Sequence, residues 1–150
     1  MATIDNTLSN NDIKNILLKK KIVLNGCVMS NDLPIKMIKG FYILNLDKKG
    51  NAGTHWTSLY YDSPNGTNYY FDSMGVLPPL EVEQKIKGYT YNDKQYQGID
   101  DTSCGFYCIA FIMYIHHLGA SDETFKKFKS LFTEYPNNKR NEIILNKIVN

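Results

Sequence analysis

The chain has 150 residues, which is the usual size of one folded domain, so we expect a single domain over residues 1–150. Its formal net charge of +2 does not predict a nucleic-acid-binding surface beyond a weak contact at the basic cluster 19–21. The three cysteines do not indicate a disulfide framework, and they fit a reducing compartment. We find no signal peptide, and the longest apolar run, 106–115, is too short to cross a bilayer, so no membrane association is expected.

Hydrophobic periodicity and turn residues divide the chain into short helices and strands. The turn at 62–66 is typical of a hairpin, so the strands on either side of it and the strand before them should form an antiparallel meander. These patterns predict an α+β fold, with a small mixed or antiparallel sheet packed against a buried central helix and surrounded by other helices. The predicted elements are a helix at 11–20, an extended segment at 23–29, strands at 41–46, 54–61 and 68–72, a helix at 78–87, a short strand at 89–92, and helices at 103–118, 122–132 and 138–148.

The predicted central helix carries a cysteine in its first turn. Cys104 follows a polar loop and precedes an almost unbroken apolar run that ends near Gly119. The unpaired N–H groups and the dipole at a helix N-terminus favour an anion, and the thiolate is the nucleophilic form of cysteine. The dipole contributes only about 0.3–1 kcal/mol, so a nucleophile would also need a neighbouring cation. The alternative is that Cys104 is a small buried hydrophobic residue.

Two residues on the predicted meander could supply that cation and orient it. His55 stands at the start of one strand and Asp72 at the end of its neighbour, so their side chains can meet at one edge of the sheet. Asp72 could then fix the tautomer of His55, whose other ring nitrogen would face Cys104. Taken singly, a strand histidine, a turn aspartate and Trp56 are more often structural than functional.

The loop before Cys104 contains candidates for the stabilisation of a negatively charged oxygen. The side-chain amide of Gln97, seven residues before Cys104, could donate to an oxyanion together with the backbone N–H of Cys104, and Gln95 is a competing candidate. Gly105 would keep bulk away from that N–H. Asp101 and its neighbour Asp100 would oppose a thiolate, so we expect one of them to cap the helix or point outward.

A metal site is a weaker interpretation of the same helix. Cys104 and Cys108 lie four residues apart on one face, but the sequence has neither the C-x-x-C spacing nor the further ligands that are typical of a zinc site. No metal or other cofactor is therefore expected.

Three motifs resemble those of one protease clan: Gly-Thr-His-Trp at 53–56, Tyr-Phe-Asp-Ser-Met-Gly at 70–75, and the stretch from Gln97 to Ser-Cys-Gly-Phe-Tyr-Cys at 103–108. They are similar to the adenovirus-type maturation cysteine proteases and to the related Ulp-type SUMO proteases. The intervals of 17 residues from His to Asp (72 − 55) and seven from Gln to Cys (104 − 97) are more similar to the viral branch. The small size resembles the compact copies in virophages and related large DNA viruses.

The resemblance implies a papain-like or adenain-like fold and a role for each motif residue. His55 would be the base, Asp72 its orienting group, Gln97 the oxyanion donor and Cys104 the nucleophile. The substrate-binding residues would be Gly53, Trp56 and Gly105, in a narrow channel that suits glycine-rich cleavage sites. Some relatives need a peptide attached through a further cysteine, or DNA. No cysteine here clearly matches the attachment site, so the sequence requires no activator, and a peptide or DNA activator stays an open but unsupported alternative.

The sequence thus predicts a cysteine endopeptidase that processes viral capsid or other structural precursor proteins during virion maturation. We expect it to be a monomer in the virion and in the host cytoplasm or virus factory. One alternative is an isopeptidase that acts on SUMO or ubiquitin-like tags with the same residues. Another is a catalytically silent module that binds capsid proteins or nucleic acid.

Overall fold

A computed structural model describes residues 7–46 and 55–150 of the chain. It contains one mixed sheet of five strands in the order β1-β2-β3-β4-β5. The three middle strands pair antiparallel and form the expected meander, whereas β1 pairs parallel with β2, and β5 pairs parallel with β4. The strands are β1 (Gly26–Met29), β2 (Gly40–Asn45), β3 (Trp56–Tyr61), β4 (Tyr69–Phe71) and β5 (Thr90–Tyr91).

The longest helix is apolar on every side and lies in the core. Eleven residues of this helix, α3, are buried, because the sheet and three other helices pack against it. Gly119 ends it with φ of +94°, a conformation that a residue without a Cβ adopts readily, and its N–H donates to the carbonyl of Ile115. The helices are α1 (Asn10–Lys19), α2 (Leu80–Ile86), α3 (Cys104–Leu118), α4 (Asp122–Ser130) and α5 (Asn141–Val149).

The sheet separates two apolar clusters. The larger one joins the α3 face of the sheet to α1, α4 and α5, and Phe71 stacks there against Tyr107 and Phe111. The smaller one lies on the opposite face, where Val82 and Ile86 of α2 pack against the sheet. The α+β class and the buried central helix are therefore confirmed.

Several element boundaries differ from the sequence-based prediction. Helix α2 begins after the two prolines rather than at them, and Pro79 is its N-cap. Helix α5 begins at Asn141 rather than 138, because residues 138–140 form a turn that ends in a hydrogen bond from the Asn141 N–H to the Asn138 carbonyl. In the described part of the chain, no helix combines the length and apolar character needed to span a bilayer.

Asn141 is buried and joins α5 to two other segments. Its amide donates to the carbonyls of Tyr96 and Thr133 and accepts from the Thr133 N–H. Asn141→Ala should lower the free energy of unfolding by about 2 kcal/mol or more, because these backbone groups lose their partner. Urea unfolding followed by circular dichroism measures the loss.

The matched control is Asn146→Ala on the same helix. Asn146 is exposed, and the one bond described for its side chain is accepted from the side-chain amide of Asn150. This change should alter stability by less than about 0.5 kcal/mol. Equal losses in the two variants would contradict a structural role for Asn141.

Candidate active site

The first contact of the site joins the ends of two neighbouring strands. His55 directly precedes β3 and Asp72 directly follows β4. Because Ser58 pairs with Phe71 in the antiparallel register, one further step along β4 places Asp72 opposite Thr57, which shares a face with His55. The two side chains meet there, with His55 Nε2 2.7 Å from Asp72 Oδ1.

The carboxylate of Asp72 is held from several sides. Its side chain is 2% exposed, and Oδ1 also accepts from the Met74 N–H at 2.8 Å. The buried amide of Asn92 fixes the backbone of the same residue, since Oδ1 of Asn92 accepts from the Asp72 N–H and Nδ2 donates to the Asp72 carbonyl. Asn92 escaped the sequence analysis. The predicted strand at 89–92 places Asn92 at a strand end, but only the parallel pairing seen in the structure brings that end to the edge where Asp72 lies.

The nucleophile candidate lies at the same edge. Cys104 is the first residue of α3, after the N-cap Ser103, and its sulfur is a hydrogen-bond partner of the His55 ring. Asp72 occupies Nε2, so Nδ1 is the ring nitrogen left for the sulfur. Burial disfavours the charged imidazole, but the hydrogen bonds and charges of Asp72 and Cys104 outweigh it and raise the pKa of His55 to about 10. His55 is therefore an imidazolium at neutral pH.

The other two cysteines have a different environment. Burial raises the pKa of the Cys108 thiol well above its ordinary value, and burial also raises the pKa of Cys27. Both thiols therefore stay protonated at neutral pH and are poor nucleophiles. All three cysteines are free, and no group of three or more potential metal ligands occurs within residues 7–46 and 55–150.

Gln97 lines the same cleft as Cys104, and both ends of its side-chain amide are hydrogen-bonded. Gln97 is 3% exposed, its Oε1 accepts from the Ser73 hydroxyl at 2.5 Å, and its Nε2 donates to the Asp101 carbonyl at 2.5 Å. The amide of Gln95, the competing candidate, instead donates to the backbone carbonyl of Gln97. The contact with Ser73 is not predicted from the sequence, where this serine is part of the motif at 70–75 without a role of its own.

One carboxylate of the acidic loop before α3 is bonded to the backbone of the N-cap residue Ser103. Asp101 Oδ1 accepts from the Ser103 N–H at 2.9 Å, so this carboxylate stabilises the chain where α3 begins. Asp100 lies on the wall of the cleft and is exposed.

These side chains surround a cleft of about 410 Å³. His55 lines this cleft, and its side chain is 29% exposed, so the imidazole is accessible from solvent. The lining residues are His55, Gln97, Cys104, Thr7, Met74 and 99–102.

Two of the three expected substrate-binding residues, Trp56 and Gly105, are described by the structure, and both lie against Leu8. Trp56 is buried in the larger core cluster, and its Nε1 donates to the Leu8 carbonyl at 3.0 Å. A Cβ on Gly105 would lie 3.2 Å from the Leu8 side chain, so this glycine allows the segment before α1 to approach α3. Gly53 lies outside the described residues. A substrate contact for each of the three stays a prediction.

Comparisons with known proteins found a sequence relative and a protein of similar fold. No protein-family model matches the chain. In an alignment that covers 47% of the chain, it is 34% identical to a protein of Acanthamoeba polyphaga mimivirus that is named as a candidate thiol protease. That match covers 28% of the mimivirus protein, so the chain corresponds to less than a third of this relative.

The fold is similar to that of the ASFV pS273R protease. The crystal structure of its selenomethionine form aligns with a TM-score of 0.51 and 17% identity, over 86% of this chain and 69% of the other. A second crystal structure of the ASFV protease aligns with a TM-score of 0.47 and 16% identity, over 86% and 68% of the two chains. At this identity the likeness to the first structure shows that the two proteins share a fold.

Proposed function

We propose that the chain is a cysteine endopeptidase with Cys104 as nucleophile, His55 as general acid and base, and Asp72 as the group that orients the imidazole. The proposal rests on the contacts of the His55 ring. The ring is hydrogen-bonded to the Asp72 carboxylate on one side and to the Cys104 sulfur on the other. An imidazolium beside a cysteine stabilises the thiolate, and the N-terminus of α3 acts in the same direction. The cleft at this point gives a substrate access to the sulfur.

Acylation of the enzyme follows from this arrangement. The Cys104 thiolate attacks the scissile carbonyl carbon, and the carbonyl oxygen becomes an oxyanion. In this proposal, Gln97 Nε2 and the backbone N–H of Cys104 donate to that oxygen. The His55 imidazolium gives its proton to the amine, which leaves as the C–N bond breaks.

Deacylation reverses the role of the imidazole. Neutral His55 accepts a proton from a water molecule, which attacks the thioester carbonyl of acylated Cys104. The second oxyanion uses the same two donors, and its collapse releases the acid and the Cys104 thiolate. Asp72 keeps the ring in place through both steps and stabilises its charged form.

For the substrate, we propose structural precursor proteins of a virus, cut at glycine-rich sites. The sequence motifs resemble viral maturation proteases, and a mimivirus protein named as a candidate thiol protease is similar to part of the chain. We further propose that the protein acts as a monomer, in the host cell and in the virion.

The nucleophile assignment gives a prediction about chemical modification. Iodoacetamide at pH 6–7 should alkylate Cys104 well before Cys27 and Cys108, whose raised pKa values keep them protonated. Peptide mass spectrometry after timed quenching measures the three rates. Equal and slow labelling of all three would contradict an activated thiol.

The same assignment predicts that Cys104→Ala abolishes peptide cleavage and leaves the fold intact. Cys27→Ala is the matched control, because Cys27 is also buried but lies on β1 away from the cleft. It should retain activity. Cleavage by folded Cys104→Ala protein would refute the assignment.

The substrate class can be tested with two kinds of probe. The protein should cleave unstructured peptides that carry glycine-rich sites, because an endopeptidase of precursor proteins needs no folded tag. SUMO and ubiquitin fusions with the same linker sequence serve as the comparison, and product masses report the cut. Hydrolysis of the fusions alone would instead identify an isopeptidase of ubiquitin-like proteins.

The pKa of His55 gives a prediction about pH dependence. In wild type, the imidazole should remain protonated through neutral pH and titrate near 10. In Asp72→Asn the pKa should fall, because the negative charge beside Nε2 is lost. Proton NMR of the imidazole, assigned by its absence in His55→Ala, follows both titrations. Asp100→Asn is the control, as this cleft carboxylate is not among the causes of the shift.

The raised pKa of His55 also makes the stability of the fold depend on pH. The contribution of the His55 proton to folding is complete below about pH 6.5, the unfolded pKa, and is lost as pH rises toward 10. Urea midpoints of wild type should therefore fall over this range more than those of Asp72→Asn. Titration of wild-type His55 near pH 6.5 would contradict both expectations.

A further inference from the structure

We infer that Ser73 is a positioning residue of this site: its buried hydroxyl holds the Gln97 side-chain amide with the nitrogen turned toward the nucleophile. The inference rests on the proposed function for its catalytic consequence. Its geometric part rests only on contacts among described residues.

The orientation of the Gln97 amide follows from its two neighbours. One end of the amide lies 2.5 Å from the backbone carbonyl oxygen of Asp101, and this oxygen can only accept. That end must be the NH2 group, so the other end is the carbonyl oxygen. The Ser73 hydroxyl, 2.5 Å from this oxygen, must therefore be the donor.

The two hydrogen bonds of the Gln97 amide, to Ser73 and to Asp101, form a clamp that leaves one donor hydrogen for the reaction. An amide nitrogen carries two hydrogens, and one of the two on Gln97 Nε2 is donated to Asp101. Gln97, Asp101 and Cys104 all line the cleft, so we expect the second hydrogen to reach an oxyanion there. A hydrogen bond from Ser73 to Oε1 polarises the amide and makes this remaining N–H a stronger donor.

Ser73 also holds the backbone of the Gln97 loop. Its carbonyl accepts from the N–H groups of Tyr96 at 2.8 Å and Gln97 at 3.1 Å. Side chain and main chain of one residue, 1% exposed, thus fix both parts of Gln97. Ser73 directly follows Asp72, the residue that orients the general base His55. The turn after β4 therefore helps to position both His55 and the oxyanion donor Gln97.

The test compares acylation with simple alkylation. p-Nitrophenyl acetate acylates a cysteine nucleophile through an oxyanion, whereas iodoacetamide alkylates the thiolate without one. In Ser73→Ala the burst of nitrophenolate should slow about tenfold, because one buried hydrogen bond to the donor is lost. Alkylation of Cys104 should stay within about twofold of wild type, since the His55–Cys104 pair is untouched.

A double variant separates positioning from general support. Gln97→Ala should slow acylation by about 10²–10³. Adding Ser73→Ala to it should cost nothing further, because a residue that acts through Gln97 has no effect once Gln97 is gone. Ser58→Ala is the matched control: Ser58 is a buried serine beside the thiol of Cys108, and its loss should leave acylation unchanged.

Side-chain amide signals in 15N NMR test the clamp without any catalysis. The Gln97 NH2 pair, assigned by its absence in Gln97→Ala, should shift and exchange faster with water in Ser73→Ala. The variant Ser73→Cys, which keeps the volume and replaces the hydroxyl by a weak donor, should lie between wild type and Ser73→Ala.

Three results would overturn the inference: unchanged Gln97 signals in Ser73→Ala, unchanged acylation in that variant, or parallel losses of acylation and alkylation. A wild-type protein that shows no burst would refute the proposed function instead. The NMR comparison would still decide whether Ser73 clamps Gln97.

Discussion

The hydrogen bond between His55 Nε2 and Asp72 Oδ1 is the contact on which the rest of the site depends. A carboxylate as buried as that of Asp72 is costly unless it is paired, so the imidazole and the Met74 N–H are needed to satisfy it. The same contact holds the positive charge of His55 beside Cys104. One pair therefore contributes to the folding of the strand ends and creates the charge that a thiolate needs.

Polar groups at this edge form one connected network rather than separate pairs. Asn92, which directly follows β5, holds the backbone of Asp72, and Ser73 holds Gln97. Contacts at two consecutive residues therefore fix both the group that orients the base and the oxyanion donor. Such a network is favourable only when its members are satisfied, because a lone buried amide or hydroxyl loses its hydration without compensation. This requirement gives the site a defined geometry before any substrate arrives.

The sequence was sufficient for the parts of this arrangement that depend on local patterns. The apolar run after Cys104 predicts a buried helix, and the turn at 62–66 joins two strands in register, which brings His55 near Asp72. The contacts of Asn92 and Ser73 depend on other information. They arise from the parallel pairing of β5 with β4 and from the return of the 93–97 loop, and neither has a short-range signal in periodicity or turn residues.

The segment before α1 shows why two of the motif residues occur next to catalytic candidates. Trp56 follows His55 and binds the Leu8 carbonyl, while Gly105 follows Cys104 and makes room for the Leu8 side chain. Leu8 thus contacts the neighbours of both members of the His–Cys pair, although it lies far from them in sequence. Close packing transmits small displacements, so a shift of this segment would move the imidazole and the sulfur relative to each other. The tryptophan and the glycine can therefore be essential to catalysis through the position of their neighbours, independently of any contact with a substrate.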